Sequence, residues 1–447
     1  MDLLKNFLKG DKVIWIIFLM LCMISVIEVF SASSTLTYKS GDHWGPITNH
    51  LVLLLVGTFI VWIIHNIPCR VFKVGVILLP IAWLLLAIVL GMSAINGASR
   101  WIDLGVFQFQ PSEVAKMANI IVVARILSLF QQEDRDADKR ALKWIMIVSI
   151  PTILLIGVEN LSTAVLLTAS IYLMMFIGRT PLKQMLTLSA IGIGALLLAV
   201  TTIKYVPAKA WDTIGLHRMT TWQNRINSHL DTKEIPPAKF DIDNDAQVAH
   251  ANIAIATSHI LGKGPGNSVQ RDFLSQAFSD FIYAIIIEEL GLLGGGVVAL
   301  LYILLLMRIG KIARNCDRPY YAFLVMGIGI LLVMQAMFNM LVAVGIMPVT
   351  GQPLPLISKG GTSTLINCAY IGILLSVSRH VKEVQAQQEA EEAERQQQTK
   401  ETAIAWLQSA ATQLAQNTGV TVPEPISDMQ QTVSAEDTMS EKERKLR

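Results

Sequence analysis

Charged side chains are scarce in this 447-residue chain: 16% of residues are Asp, Glu, Lys or Arg, where about a quarter is usual for a soluble protein. With 53% of residues apolar, that scarcity excludes an ordinary soluble globular enzyme and reads as a membrane protein. Neither sign of charge dominates, with 36 Lys and Arg against 34 Asp and Glu, so nucleic-acid binding has no compositional support. Cysteine is scarce as well. Of the four, Cys22 and Cys368 lie in apolar runs and Cys69 and Cys316 in short basic loops, with no CxxC, so neither a disulfide framework nor a metal-ligand set follows. No sequence repeat of fixed period is present.

What is abundant is long apolar runs. Ten approach the roughly 20 residues that cross a bilayer: Val13 to Phe30, His50 to Ile64, Val71 to Met92, Glu113 to Phe130, Leu142 to Gly157, Leu161 to Gly178, Met185 to Ile203, Phe281 to Met307, Ala322 to Met347 and Thr362 to Val377. The fifth and sixth are parted only by Val158-Glu159-Asn160. The first reads as an uncleaved anchor, because it is longer than a usual signal h-region, although Ser31-Ala32-Ser33 has the small residues of a cleavage site. The predicted fold is therefore all-α: a polytopic bundle of about ten transmembrane helices, with a long outer loop over 204–280 between the seventh and eighth spans.

Loop charge orients the bundle. One set of connections holds Lys5, Lys9 and Lys12, Arg70 and Lys73, Arg135 to Lys143, Arg179 and Lys183, Arg308 to Arg318, and Arg379 and Lys382; the short loops of the other set hold Lys39, Arg100 and Lys359. The positive-inside rule places the first set, and with an even span count both termini, in the cytosol. Residues 1–379 form the membrane domain, and 380–447 form a Gln- and Glu-rich cytosolic tail, helical or weakly coiled-coil at first and disordered beyond about Leu414.

Ionisable groups inside spans cost a few kcal/mol each and need a partner or a task. Glu113 and Lys116 share one helix face just after Pro111-Ser112, either as an anchoring ion pair or as the lining of a cavity open to the outer face. Asp280 opens the eighth span, as an N-cap or as a general base at the membrane surface. Glu288 lies about 12 Å further along that helix, too far to form with Asp280 the carboxylate pair of a glycosidase. Glu288 and Glu289 read first as fold-forming partners of polar groups on other helices, and second as substrate contacts or a proton relay; Glu28 and Glu159-Asn160 read the same way. The turn from Pro348 to Ser363 leads into a helix whose amides can hold an anionic oxygen, with Lys359 beside them.

These segments resemble the SEDS family of shape, elongation, division and sporulation proteins over Val13 to Arg379. The likeness is carried by Gly97-Ala98-Ser99-Arg100-Trp101, Gln110-Pro111-Ser112-Glu113-Val114-Ala115-Lys116, Gly266-Asn267-Ser268-Val269-Gln270, Asp280-Phe281-Ile282-Tyr283-Ala284 with Glu288-Glu289-Leu290-Gly291, and Gly351-Gln352-Pro353-Leu354-Pro355 with Ser358 to Ser363. Asn267-Ser268 resembles the division branch rather than the elongation branch. The resemblance implies a peptidoglycan glycosyltransferase of the inner membrane that polymerises lipid II at the outer face, works with a class B penicillin-binding protein and other division proteins, and sits at the division site. It implies Asp280 as the essential acid and Arg100, Glu113 and Lys116 as cavity lining, with Lys359 and Ser363 as further substrate contacts. No cofactor is certain; a divalent cation, Mg or Mn, is an open option. A lipid II translocase, a non-enzymatic division scaffold and an elongation role instead of division are the competing readings. Three departures stand out: Leu274-Ser275-Gln276-Ala277-Phe278-Ser279 replaces the usual Leu-Pro-Glu-Ala-His-Thr, Asn160 stands where an Asp is usual, and Lys359 where an aromatic is common.

Overall fold

A computed structural model describes residues 9–32, 44–91, 102–103, 108–132, 137–206, 223, 246–274 and 277–418. Arg100 and its motif, most of the outer loop, Gln276 and the tail beyond 418 lie outside the described residues. Among the described residues about 81% are helical and 1% are strand.

Each of the ten predicted runs falls on a helix. In chain order these are α1 (Lys12–Ala32), α2 (Gly45–Asn66), a 3-10 segment (Cys69–Ile77) continuing into α3 (Leu78–Leu90), α4 (Pro111–Phe130), α5 (Arg140–Glu159), α6 (Leu161–Ile177), α7 (Leu182–Tyr205), then after the outer-loop helix α8 (Ala246–Ala256) come α9 (Ile282–Arg314), α10 (Pro319–Ala343) and α11 (Gly361–Thr418). Eight are long and apolar enough to cross a membrane among the described residues. The other two are α6, at 17 residues, and α4, whose Glu113, Lys116 and Arg125 lower its hydropathy. Proline at the first turn starts α4 and α10, where its missing N–H costs nothing. Asn160, at φ −144° and ψ 80°, ends α5, and its side chain accepts from Thr163 N at 3.2 Å to open α6, so the fifth and sixth spans are separate.

The centre of the bundle is α4, α10, the first half of α9 and the start of α11, all packed with buried Ile, Leu, Val and Ala. The α7 helix is the most peripheral, with Leu186, Ile191, Ile193, Leu197 and Leu198 all exposed. A two-residue ladder pairs Ile102 with Phe109 and Asp103 with Gln108 just before α4.

One predicted span is not a single helix. Within α9, Gly291 has φ 75° and ψ −179°, a region open essentially to glycine alone. The break admits the chain at 259–264: Leu292 N donates to His259 O and Leu293 N to Ile260 O, both at 3.2 Å, while Lys263 N and Gly264 N donate to Glu288 O and Glu289 O at 3.0 and 2.8 Å. Gly262, at φ 75°, lies against the same point, where a Cβ would stand 2.3 Å from Glu289 O.

By backbone contacts the chain divides into Met1–Lys382 and Glu383–Arg447. The described part of the second unit is the exposed remainder of α11.

Candidate active site

Asp280 lies in the turn Ala277–Phe281 immediately before α9 and is half-buried. It is not the N-cap of that helix: the cap position is Phe281, and no side chain bonds there. The turn is fixed instead through three successive carbonyls. Lys359 N donates to Phe278 O at 2.9 Å, Ser358 Oγ to Ser279 O at 2.7 Å, and Asn339 Nδ2 to Asp280 O at 2.9 Å. On the carboxylate itself, Ser279 Oγ donates to Oδ1 at 3.0 Å. Gly351, at φ 68°, passes so close that a Cβ there would lie 3.7 Å from Oδ2.

The segment that supplies Ser358 and Lys359, residues 351–359, folds back between helices and is itself tied down from all sides. Asn339 Nδ2 also reaches Gln352 O at 2.9 Å, Gln352 Nε2 reaches Thr163 Oγ1 at 2.8 Å, Ser25 Oγ reaches Ile357 O at 2.7 Å with His50 Nε2 2.8 Å from that hydroxyl, and the Tyr302 hydroxyl donates to Pro355 O. Lys359 is half-buried in this segment, and its ammonium stands 5.5 Å from the centre of the Phe278 ring. Phe278 and Lys359 are both departures from the family pattern, and they form one cation–π pair. Burial holds the Lys359 ammonium below its ordinary pKa.

Glu113 and Lys116 form a fully buried ion pair at 2.9 Å across one turn of α4. Lys116 Nζ also donates to Gln335 Oε1 at 3.2 Å, and Gln335 Nε2 donates to Pro353 O at 3.0 Å, so the pair is wired to the same re-entrant segment as Asp280. The sequence reading puts Lys116 among the groups that face substrate; the structure places its charge on Glu113 and Gln335. The second Glu113 oxygen, Oε2, is buried without a hydrogen-bond partner. Ser363 is buried in the first turn of α11 and accepts from Asn367 Nδ2 at 3.5 Å. Its neighbour Thr362 joins α11 to the start of α4, donating to Gln108 O at 2.6 Å and accepting from Gln110 N at 3.2 Å.

Glu288 and Glu289 find their partners on the glycine-rich loop rather than chiefly on other helices. Glu288 meets Lys263 Nζ at 2.6 Å, accepts from Val269 N and Gln270 N at 3.2 Å each, and takes the Ser268 hydroxyl. Glu289 accepts from Gly266 N at 2.8 Å and Ser268 N at 3.2 Å, lies 4.0 Å from Arg271, and takes the Ser31 hydroxyl from α1. Glu28, one turn before Ser31, is fully buried with both carboxylate oxygens lacking a hydrogen-bond partner. Side chains that the sequence reading passed over are Gln335, Asn339 and Lys263. The first two are readable as polar residues at i and i+4 on an otherwise apolar helix.

A half-exposed carboxylate on a fixed turn suits proton abstraction from a hydroxyl. Among the described residues no three His, Cys, Asp or Glu side chains are placed to hold a metal ion.

The family profile described as "Cell cycle protein", covering FtsW, RodA and SpoVE, matches residues 11–383. The chain is similar to the probable peptidoglycan glycosyltransferase FtsW of Coxiella burnetii, 31% identical over 379 residues that cover 81% of this chain and 95% of that protein. It is also similar to the stage V sporulation protein E of Bacillus subtilis, 30% identical over 83% of this chain and 97% of that one. Among solved structures, a chain of a peptidoglycan synthase complex that coordinates polymerization and crosslinking superposes with a TM-score of 0.64 at 23% identity, over 83% of this chain and 98% of that chain. The rod shape determining protein RodA of Thermus thermophilus superposes at 0.57 and 23% identity, over 84% and 98%.

Proposed function

The chain belongs to the FtsW, RodA and SpoVE family of cell cycle proteins, and from that premise we propose that it polymerises lipid II into glycan strands with Asp280 as the general base. It is a multi-pass inner-membrane peptidoglycan glycosyltransferase. The observation that carries the catalytic assignment is the capture of three consecutive carbonyls, at 278, 279 and 280, which presents the Asp280 carboxylate on a fixed turn while leaving it half-exposed.

In this reading the Asp280 carboxylate takes the proton of an acceptor sugar hydroxyl, that oxygen bonds to the donor's anomeric carbon, and the bond from that carbon to the diphosphate oxygen breaks. The departing diphosphate is met by Arg100 and Lys359, while the buried Glu113–Lys116 pair positions the re-entrant segment through Gln335. Ser363, buried in the first turn of α11 four residues after Lys359, is a further contact in this reading. A divalent cation, if used, arrives with the diphosphate. Loop charge puts both termini and the tail in the cytosol and the Asp280 turn outside. Asn267-Ser268 and the names of the similar proteins favour septal synthesis in division, with a class B penicillin-binding protein as the cross-linking partner.

The test is incubation of the purified chain with labelled lipid II, with and without that partner, beside Asp280→Asn. Polymer from wild type alone is the expected result. Polymer from Asp280→Asn would end the base assignment, and movement of lipid without polymer would favour translocation.

A further inference from the structure

A hydroxyl in the middle of a helix commonly turns back on its own helix and gives its proton to the carbonyl four residues earlier. Thr168, Ser170 and Ser189 do so, toward Ala164 O, Leu166 O and Met185 O at 2.7, 2.8 and 2.9 Å. Ser25, in the second half of α1, does not. Its proton goes across to Ile357 O on the re-entrant segment, at 2.7 Å. What turns it outward is His50 on α2, whose Nε2 stands 2.8 Å from the same hydroxyl oxygen. A serine has one proton, and Ile357 O takes it, so the imidazole must be the donor of the second bond: His50 carries its proton on Nε2 and leaves Nδ1 bare. That Nδ1 is buried without a hydrogen-bond partner. Stability alone would favour leucine at this position, because an orphaned ring nitrogen is a cost that an apolar side chain does not carry.

The carbonyl held in this way sits between a strained residue and the donors of the Asp280 turn. Leu356, just before it, is buried at φ 67°, a left-handed conformation that is costly for a residue with a Cβ and persists only where its surroundings impose it. Just after it, Ile357 O shares one peptide group with Ser358 N, which donates to Leu354 O at 2.9 Å, while Leu354 N donates to Ser358 Oγ at 2.7 Å. Ser358 Oγ and Lys359 N in turn hold the carbonyls of Ser279 and Phe278. A line of hydrogen bonds, joined by the peptide group 357–358, therefore runs from His50 through Ser25 to the turn that carries Asp280.

We propose that His50 is a positioning residue for Asp280: it orients the Ser25 hydroxyl onto Ile357 O, that bond keeps Leu356 in its left-handed conformation, and the segment so fixed sets Ser358 and Lys359 against the Asp280 turn. The effect of His50 on the reaction passes through Ser25. A histidine that only fills space between α1 and α2 would instead lose activity and stability together, whichever residue replaced it. The activity readout of this inference rests on the polymerase reading above; the hydrogen-bond line itself does not.

The test uses the full chain in detergent with its cross-linking partner and labelled lipid II, and reads kcat and KM, melting temperature, and hydrogen–deuterium exchange of the amides over 354–359. His50→Leu should lower kcat about tenfold, as a small displacement of a reacting group does, with KM within about twofold of wild type. Its melting temperature should stay near the wild-type value, while the amides of Leu354, Ser358 and Lys359 exchange faster. His50→Gln keeps an N–H donor at similar reach and should restore both kcat and slow exchange. Ser25→Ala should match His50→Leu in kcat, and the double variant should be no worse than Ser25→Ala alone. Wild-type kcat in His50→Leu, an equal loss in His50→Leu and His50→Gln, or losses that multiply in the double variant would each overturn the proposal. Should wild type make no polymer, the polymerase reading falls and exchange decides: wild-type exchange rates in His50→Leu overturn the line of hydrogen bonds. Should His50→Leu not fold, Ser25→Ala, which removes a single oxygen, is judged by the same readouts.

Discussion

The break in α9 makes the sharpest stability prediction. Gly291→Ala forces an L side chain into a backbone region that costs about 1–3 kcal/mol for any residue but glycine. Its Cβ would stand 2.1 Å from Ile260 O and 2.5 Å from Gly262 N, both backbone atoms that cannot rotate away. The loop must retreat, and the bonds from Leu292 N to His259 O and from Leu293 N to Ile260 O are lost with it. At about 0.5–1.5 kcal/mol for each bond, the combined destabilisation is roughly 2–6 kcal/mol. Gly296→Ala is the control: Gly296 lies in the second half of the same helix with nothing within 4 Å of an added Cβ, so alanine there should be neutral or stabilising by up to about 1 kcal/mol. Detergent-solubilised protein would be unfolded by heat or denaturant, and trypsin would report separately on the loop, since Lys263 and Arg271 lie within it. The expected result is a lowered midpoint and faster cutting after Lys263 in Gly291→Ala alone. Equal midpoints and equal cutting in the two variants would refute the interlock between loop and helix.

Three further predictions follow from the buried charges. Glu289→Gln keeps one acceptor oxygen but turns the other into a donor facing Gly266 N or Ser268 N, and removes the negative charge 4.0 Å from Arg271, a loss of about 1–3 kcal/mol that unfolding midpoints would register. Glu113→Gln and Lys116→Met should each destabilise by about 3–5 kcal/mol, while the double variant costs less than the two together; strict additivity in that cycle would mean the pair is not coupled. Outside the spans, burial raises the Asp11 pKa but bonds from Arg308, at 2.6 and 2.8 Å, outweigh it, and the net shift is downward from 3.8. A depressed folded pKa stabilises fully above the ordinary value and is lost as pH falls through the folded one. Wild-type stability should therefore drop below about pH 4, and Asp11→Asn should flatten that limb.

The ten spans were legible because a bilayer demands about 20 consecutive apolar residues, and every such run became a helix. The break at Gly291 was not, because the run Phe281 to Met307 is apolar on both sides of it, with Gly294, Gly295 and Gly296 as equally plausible hinges. What selects Gly291 is the arrival of residues 259–264, a tertiary event with no local mark. Glu288 and Glu289 announced themselves as too costly to lie unpaired. Their partners on the loop were hidden, since the donors are mostly backbone amides, which every residue carries.

The same reasoning explains why Asp280 could be singled out from sequence while its role as a cap could be rejected only from structure. A cap uses the side chain to satisfy helix amides; here the backbone carbonyls at 278, 279 and 280 are satisfied by Lys359 N, Ser358 and Asn339. Fixing the turn through its backbone does not draw on the carboxylate, whose Oδ1 accepts from the Ser279 hydroxyl. The residues that place the acid therefore lie 59 or more positions later in the chain, and none of them is itself acidic or basic through the group that does the work. Precision at the turn that carries the proposed base is supplied by neutral amides and a serine.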